Sequence, residues 1–393
     1  MIFQKHPVVH KALESLQLVK NENSNDDEMK NVKNSTMLKI GIHGVIYDVT
    51  DFQKLHPGGS VIFLLNNGLD ATSLYESVHI NMDCVNKRLQ HLPHLGTYKM
   101  PTKFSYKRYS SLRENVLTIF PSRESRSMSW SSFINLLLLC FLTLVVHCLL
   151  WSFEFGSMSW FVCIIISAFL NSVCGGYGHS SLHKFHWTSI LLDWNGLSTF
   201  EWMIEHVISH HPHVNTNRDH DAISMEPFLA WLPDRKVFLG KEQTSLWLHA
   251  IHLVSEFVVA IQGLFFHRFR WYPLLFTKEK AWIRFAPFLF VFRVFSHVIF
   301  HKSLLEAILT FLSVFLLSGF YFSTLAHMNH NKVNNDEDDF LAHQIANTID
   351  LPTGGPLTLF LDRQQVHHLF PSVDHTRWTI QNQQFVLKNI KHS

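Results

Sequence analysis

Histidines are concentrated in three short stretches of this 393-residue chain, which has 28 of them in all. The densest stretch, Glu205 to His213, contains His206, His210, His211 and His213. The other two are His179-Ser-Ser-Leu-His183 and Gln364-Gln-Val-His367-His368. Residues four apart lie on the same face of a helix, and neutral imidazole nitrogens bind transition metals. The three stretches, called here boxes one (179–183), two (206–211) and three (364–368), therefore predict a polyhistidine metal centre.

A fourth segment, Ala326-His327-Met328-Asn329-His330, offers two more histidines, either of which could complete the set. Eight or so imidazoles at one depth can hold two metal ions. Nitrogen ligands suit iron, copper, zinc or nickel, so the ligand type alone does not identify the metal. Ligand imidazoles commonly donate their second N–H to a carboxylate. The candidates for that role are Asp219, Asp221, Asp339 and Asp350.

The composition indicates that a membrane surrounds part of the chain. Hydrophobic residues make up 47%, including 34 Phe and 11 Trp, which is heavy for a soluble protein. The net charge of +2 gives no reason to expect nucleic-acid binding. The five cysteines form no disulfide or zinc spacing, which favours a reducing compartment.

Four apolar runs predict transmembrane helices because each approaches the roughly 20 residues that cross a bilayer. They are Phe133 to Trp151, Met158 to Cys174, Trp282 to Phe300 and Leu304 to Leu325. A fifth run, Leu246 to Phe266, carries several polar residues and is predicted to lie flat in the interface. Two hairpins of this kind place all three histidine boxes on the cytosolic side of the membrane.

The chain before the first apolar run divides into three parts. Residues 1–35 are polar around Lys20 to Ser35 and predict a flexible N-terminal segment. Residues 36–98 begin with alternating apolar and polar positions, as in a pair of strands, and continue with helical spacing and turn glycines. Residues 99–130 are basic and Ser-rich and predict a linker near the membrane surface. Residues 131–393 form the predicted membrane domain.

Residues 36–98 resemble the cytochrome b5 fold. The resemblance rests on Tyr47-Asp-Val-Thr-Asp-Phe52, on His56-Pro-Gly-Gly59 and on Asp70-Ala-Thr72 leading to His79. It implies that His56 and His79 are the two axial ligands of haem b. Two histidine ligands leave no open position on the iron, so such a haem carries electrons and does not bind oxygen. An electron carrier in the same chain favours iron in the histidine centre, because zinc chemistry has no use for electrons.

With this domain, an HxxxH box, a second histidine box and a third box that begins with Gln, most of the chain resembles the front-end type of membrane fatty acid desaturase. Within that family it looks most like the cytochrome b5-related proteins of insects. The stretches Asp339 to Asp350 and His367 to Pro371 share the resemblance. It implies a di-iron centre that activates O2 and removes two hydrogens from an acyl chain. The implied ligands are His179, His183, His206, His210, His211, His367 and His368, with Gln364 beside them and His327 and His330 as further candidates.

The resemblance also implies the setting. The fold class is a small α+β cytochrome b5-like domain followed by an all-α integral membrane domain with about four transmembrane helices and a cytosolic histidine-rich cap. The substrate is an acyl lipid or acyl-CoA that enters from the bilayer. No G-x-G-x-x-G fingerprint is present, so electrons from NADH must come through a separate cytochrome b5 reductase. The expected location is the endoplasmic reticulum membrane, with the haem domain and the boxes facing the cytosol.

Box two departs from the usual HxxHH of front-end desaturases because His206-Val-Ile-Ser-His210-His211 is one residue longer. At about 100° per residue, an α-helix places the last two histidines at about +40° and +140° from the first, instead of about −60° and +40°. A bulge, a helix end before Pro212 or substitution by His213 is then needed. The longer box leaves two alternatives to desaturation: a di-iron lipid hydroxylase, and a noncatalytic haem electron-transfer membrane protein.

Overall fold

The computed structural model describes residues 37–99, 104–216, 218–223, 281–330, 338–352 and 354–390. The chain forms two compact units. The described residues of the smaller unit are 37–99, and those of the larger unit begin at Phe104. The predicted flexible segment 1–35 and the predicted interfacial run Leu246 to Phe266 lie outside the described residues.

The smaller unit contains a three-stranded antiparallel sheet in the order β1 (Lys39–Ile42), β2 (Val45–Asp48) and β3 (His94–Thr97). His43 and Gly44 join β1 to β2 with φ values of 49° and 79°. Two successive residues with positive φ form the turn whose twist matches a hairpin, which is why glycine suits the second position. The predicted strand pair is therefore present.

Three short helices cover this sheet: α1 (Val61–Leu65), α2 (Thr72–Val78) and α3 (Met82–Leu89). A turn of 3-10 helix at Phe52–Lys54 precedes them. Ile40 and Ile42 of β1 face inward, where they join a core with Phe63 of α1 and Tyr75 of α2. The alternating pattern of β1 thus buries one face of the sheet against the helices.

The described part of the larger unit is built of helices. They are α4 (Lys107–Ile119), α5 (Arg123–Arg126), α6 (Trp130–Ser152), α7 (Met158–Leu182), α8 (Leu191–Trp194), α9 (Thr199–Trp202), a π-helix (Met203–His210), α10 (His211–His213), α11 (His220–Ile223), α12 (Ala281–Phe300), α13 (Leu304–Met328), α14 (Phe340–Ala346), α15 (Gln364–Leu369) and α16 (Ile380–Ile390). Turns of 3-10 helix occur at Trp187–Ile190, Gly355–Thr358 and His375–Arg377.

Three of the described helices are long and apolar enough to cross a membrane: Trp130–Ser152, Met158–Leu182 and Leu304–Ala326 within α13. The fourth predicted span is α12, a helix of 20 residues whose apolar part, Phe288–Phe300, is shorter. The prediction of about four spans agrees with this arrangement. The chain is a membrane protein.

Helix α7 packs against both α6 and α13, and its last turn carries box one. It ends in a run of buried small residues that allows close approach of the chain. A Cβ atom added at Gly176 would lie 2.5 Å from the carbonyl oxygen of Leu359. Box one is thus held by backbone packed directly on the helix.

The basic stretch predicted as a linker belongs to the larger unit from Phe104 onward. Tyr109, Leu112 and Val116 lie on one face of α4 and are buried. The Tyr109 hydroxyl donates to the carbonyl oxygen of Leu369 at 2.7 Å, and its ring stacks on Phe370 with centroids 5.7 Å apart. The apolar positions at i, i+3 and i+7 are those of a helix that buries one face.

Polar side chains join the helices inside the apolar bundle. The indole N–H of Trp194 donates to Asn171 Oδ1 of α7 at 2.7 Å, and Ser318 of α13 donates to the Asn195 side chain. Arg293 of α12 is fully buried and donates to the carbonyl oxygen of Trp194 at 2.7 Å. A buried polar group without a partner is costly, so these contacts fix where α8 enters the bundle.

Replacing Asn171 by Leu should lower the stability of the larger unit by about 1–3 kcal/mol, because the Trp194 indole N–H loses its acceptor. Replacing Trp194 by Phe removes the donor, and the double variant should be less destabilised than the two single losses combined. Thermal unfolding of the purified protein in detergent measures all three variants. Strictly additive losses would show that this pair does not interact.

Candidate metal centre and haem site

The two histidines predicted to bind haem face each other in the smaller unit. His56 follows the 3-10 turn at Phe52–Lys54, and His79 follows α2. Their ring centroids are 6.1 Å apart. His79 donates from Nδ1 to the carbonyl oxygen of Tyr75 at 2.9 Å, which leaves the Nε2 lone pair for a metal. Burial, aided by the neighbouring His79, lowers the pKa of His56 to about 4, so this imidazole is neutral at pH 7.

Glycines allow the backbone to come close to His56. A Cβ atom added at Gly58 would lie 2.7 Å from Ile62 Cδ1 and 3.0 Å from His56 Cε1. Gly59 has φ of 86°, which a larger residue rarely adopts. The His56-Pro-Gly-Gly59 turn therefore sets the direction of the His56 ring, and the facing imidazoles of His56 and His79 fit a haem iron held by two histidines.

Replacing Gly58 by Ala should weaken haem retention, because the added methyl group displaces the His56 ring at a cost of about 1–3 kcal/mol. Haemin titration of the purified full chain, followed by its Soret absorbance, measures the effect. Leu55→Ala is the control, since Leu55 is the next residue to His56 and is 78% exposed. Equal haem retention by the two variants would contradict this account of Gly58.

Five histidines from all three boxes meet in the larger unit. Each offers one nitrogen atom, and these atoms all lie within 4.8 Å of one another. The Nε2 atom of His206 is 2.8 Å from Nε2 of His179 and 3.0 Å from Nε2 of His211. The full group is His179, His183, His206, His211 and His367. Several imidazole nitrogens converging on one point are the donor set of a transition-metal site.

Three more histidines form a second group whose ligand atoms also lie within 4.8 Å of one another: His210, His330 and His368. The two groups adjoin, because the rings of His211 and His368 stack with centroids 4.2 Å apart. Several nitrogens of the two groups are buried and have no hydrogen-bond partner. They are Nδ1 of His183, His211 and His330 and Nε2 of His210, His367 and His368. The partnerless Nε2 atoms of His210, His367 and His368 fit nitrogens that bind metal ions.

The longer box two is accommodated by a π-helix, Met203–His210. The N–H of His211 donates to the carbonyl oxygen of His206, five residues earlier. A π-helix turns by about 80° per residue, so His210 and His211 fall at about −40° and +40° from His206. These directions are close to those of HxxHH on an α-helix. Of the three possibilities raised by the sequence, the bulge occurs, and His213 lies in neither group.

Two of the four candidate aspartates orient histidines of box two. His206 donates from Nδ1 to Asp221 at 2.8 Å, and His210 donates from Nδ1 to Asp219 at 2.9 Å. A carboxylate can only accept, so Nε2 of each ring keeps its lone pair and faces the other histidines. Asp339 instead caps α14 by accepting from the Ala342 N–H.

The fourth candidate, Asp350, accepts from the Gln365 N–H at 2.9 Å and from the Gln383 side chain at 2.6 Å. The amide nitrogen of Gln364 lies 3.2 Å from His330 Nε2, so Gln364 stands beside the second group. The side chain of His327 lies outside the described part of the structure.

Burial keeps most of these imidazoles neutral. Burial, followed by the charges of neighbouring histidines, lowers the pKa values of four rings well below the usual range; these are His183, His211, His367 and His368. Burial also lowers the pKa of His330 to about 3. At His210 burial acts in the same direction, but the charge and hydrogen bond of Asp219 outweigh it and raise the pKa. Neutral imidazole is the form that binds a metal.

Two residues of the site were not among the predicted site residues, although Gln344 lies in the stretch Asp339 to Asp350 that shares the family resemblance. Trp202 stacks on the ring of His206 with centroids 4.9 Å apart. Gln344 reaches His368 and the backbone of box two. A tryptophan and a glutamine in helices are ordinary residues, and only the folded arrangement places them against the histidines.

Comparison with known proteins decides the family. The model of the fatty acid desaturase family matches residues 155–379, which is more than half of the chain. The chain belongs to the fatty acid desaturase family. The model of the cytochrome b5-like haem or steroid binding domain matches residues 25–99 of this desaturase. No solved structure matches the chain significantly.

Several named relatives are similar to the desaturase over most of its length. Delta(5) fatty acid desaturase A of Dictyostelium discoideum is 26% identical over 385 residues, which is 85% of this chain and 81% of the relative. An acyl-lipid (8-3)-desaturase of Mortierella alpina is 23% identical over 86% of this chain and 84% of its own length. An acyl-lipid (9-3)-desaturase of Physcomitrium patens is 25% identical over 85% of this chain and 67% of its own length.

These findings favour desaturation over the two alternatives left open by the sequence. The hydroxylase alternative rested on the longer box two, and the π-helix gives that box the side-chain directions of the shorter one. The noncatalytic alternative required a disabled site, whereas the described histidines of all three boxes lie together. The desaturase is an oxidoreductase with a haem-binding domain and a histidine cluster suited to iron.

Deleting Ile208 should leave the non-haem metal content of the desaturase largely unchanged. Box two then becomes HxxHH, and an ordinary α-helix turning by about 100° per residue presents its histidines in nearly the same directions. Metal analysis of the purified protein, with haem measured in the same sample, provides the test.

Deletion of Leu182 is the matched control. Box one lies at the end of a regular α-helix, so losing one residue turns His183 by about 100° relative to His179. We expect this variant to lose metal. If the two deletions remove metal equally, the π-helix does not compensate for the extra residue.

Proposed function

We propose that this protein inserts a double bond into the acyl chain of a lipid or acyl-CoA, using a di-iron centre supplied with electrons by its own haem domain. The observation that carries the proposal is the meeting of eight imidazoles in two adjoining groups within a chain that also holds a cytochrome b5-like domain. Acyl-lipid desaturases among the relatives support the substrate class.

The iron ligands are assigned from the two groups. The proposed ligands of one ion are His179, His183, His206, His211 and His367, and those of the other are His210, His330 and His368. Asp221 and Asp219 hold the tautomers of His206 and His210, and Gln364 stands beside His330. His56 and His79 hold the haem. The proposed domain limits are 36–98 for the haem domain and 131–393 for the membrane domain, with 99–130 as the connection.

The irons, when bound, supply O2 activation and hydrogen abstraction, which no side chain in the chain can perform. The surrounding residues hold the ligands rigid and exclude water. Burial keeps most of these imidazoles neutral, which leaves a lone pair on each for a cation. A haem domain in the same chain raises the effective concentration of the electron donor.

The proposed electron source is NADH, through a separate cytochrome b5 reductase. The proposed location is the endoplasmic reticulum membrane, with the haem domain and the boxes on the cytosolic side. Support comes from the apolar hairpins, since five residues (153–157) join α6 to α7 and three residues (301–303) join α12 to α13. Two such hairpins return the chain to one side of the membrane, where the boxes lie.

Lipid profiling of a desaturase-deficient host tests the proposal. The wild type should produce a new unsaturated acyl species, and the purified protein should contain about two irons beyond haem. His206→Ala with His210→Ala should abolish both. His213→Gln is the matched control, because His213 belongs to the same stretch and lies in neither group.

Each result has a distinct meaning. A hydroxylated lipid in place of an unsaturated one would overturn desaturation while keeping the metal centre. Haem without other iron, together with an unchanged lipid profile, would overturn the di-iron proposal. Equal losses in the His213 control would show that the double variant fails through folding instead of metal binding.

A further inference from the structure

Gln344 joins two of the histidine boxes through the two ends of its side-chain amide. It lies on α14 and is fully buried. Its Nε2 donates to the carbonyl oxygen of His211 at 2.9 Å, and its Oε1 is 3.1 Å from Nδ1 of His368. One side chain therefore contacts the backbone of box two and an imidazole of box three.

The first contact determines the direction of the second. A backbone carbonyl can only accept a hydrogen bond, so the amide nitrogen of Gln344 must face His211. The amide oxygen then faces His368 and can only accept, so Nδ1 of His368 carries the proton. The lone pair of this neutral ring is left on Nε2. That atom is buried without a hydrogen-bond partner, and His368 belongs to the second group.

The same arrangement is made by carboxylates at two other histidines. Asp221 and Asp219 accept from Nδ1 of His206 and His210. Gln344 does for His368 what the aspartates do for those rings, but without adding a negative charge. Its second function, binding the backbone of box two, is one that a carboxylate cannot perform, because an ionised carboxylate has no proton to donate.

In a continued α-helix the carbonyl oxygen of His211 would accept from the N–H of residue 215. The N–H of Asn215, four residues later, donates instead to Asp219 Oδ2 at 2.7 Å. Helix α14 covers this end of box two with further contacts. His343 donates from Nε2 to the carbonyl oxygen of Val214 at 2.9 Å, and Asn215 donates to the Asn347 side chain at 2.9 Å.

Helix α14 is itself held in place. Asp339 caps its first turn by accepting from the Ala342 N–H at 2.9 Å. Phe340 is fully buried and packs against the ring of Tyr109 with centroids 5.1 Å apart. A helix fixed at its start and bonded along one face keeps Gln344 rigid, as a residue that orients a metal ligand must be.

We propose that Gln344 is a positioning residue. It holds His368 in the tautomer that presents Nε2 to a metal ion and keeps box two in register with box three. This inference rests on the proposed function for the identity of the metal. Gln344 orients His368 in the same way for any divalent transition metal that the second group of histidines binds.

Cobalt(II) titration of the metal-stripped full chain tests the proposal independently of lipid chemistry. Cobalt accepts imidazole ligands, and its absorption reports the geometry of each site. The wild type should bind two ions. Gln344→Leu should bind one ion like the wild type and the other about 10- to 100-fold more weakly, as expected when the partner of a ligand is removed.

Two variants separate positioning from a general loss of structure. Gln344→Glu keeps an acceptor for His368, so its weaker site should bind better than that of Gln344→Leu. Gln365→Leu is the matched control, because Gln365 adjoins Gln364 in α15 and its side chain contacts only the Thr348 carbonyl oxygen at 3.4 Å among the hydrogen bonds found. It should bind both ions like the wild type, and haem retention should be equal in all variants.

Three results would overturn the proposal: wild-type cobalt binding by Gln344→Leu, equal weakening of both ions, or no advantage of Gln344→Glu over Gln344→Leu. Failure of the proposed function has a different signature. In that case the lipid profile of the host would be unchanged by the wild type, while the cobalt difference between the variants would persist.

Discussion

Eight imidazole rings lie against one another in the larger unit, and their nitrogen atoms impose the main constraint on its structure. A buried polar atom without a hydrogen-bond partner costs about 1–3 kcal/mol, and six nitrogens of this cluster are in that position. Metal ions bound by the partnerless Nε2 atoms of His210, His367 and His368 would remove that part of the cost and add their own binding free energy to the stability of the fold. Metal binding therefore lowers the free-energy cost of burying this cluster.

The surrounding elements meet part of this constraint by fixing the Nδ1 proton on three of the eight rings, those of His206, His210 and His368. Asp221 and Asp219 hold the Nδ1 protons of box two, and Gln344 holds that of His368. In the smaller unit the carbonyl oxygen of Tyr75 holds the Nδ1 proton of His79 in the same way. In both units the nitrogen that faces the metal is chosen by a partner on the opposite side of the ring. The partners differ in charge, since two are carboxylates, Gln344 is a neutral amide and the partner of His79 is a backbone carbonyl.

The apolar bundle provides the rigidity that such a site requires. Helix α7 packs against α6 and α13, and buried polar contacts of Asn171 and Arg293 hold α8 at a defined depth. Hydrogen bonds in an apolar environment cannot be exchanged for water without cost, so they specify position more strongly than apolar packing does. Box one at the end of α7 and the π-helix that begins after α9 are thereby brought to a fixed separation.

The sequence alone determined the elements and the chemistry. Alternating residues predicted the hairpin of the haem unit, apolar runs predicted the long helices, and histidine spacing predicted the metal centre, because each of these signals is local in the chain. It also identified most residues that the structure brings together. Asp219 and Asp221 could be named only among four equal candidates, since nothing in a single sequence shows which carboxylate faces an imidazole.

Only the tertiary structure decided how the extra residue of box two is absorbed, how the histidines divide into groups of five and three, and what Gln344 does. The choice between an α-helix and a π-helix depends on which of the two directs the side chains of box two toward the neighbouring histidine rings. The division of the ligands depends on contacts between residues far apart in the chain, such as Gln344 and His211. Local patterns do not encode these contacts, because they form when distant segments pack together and the buried polar atoms must find partners.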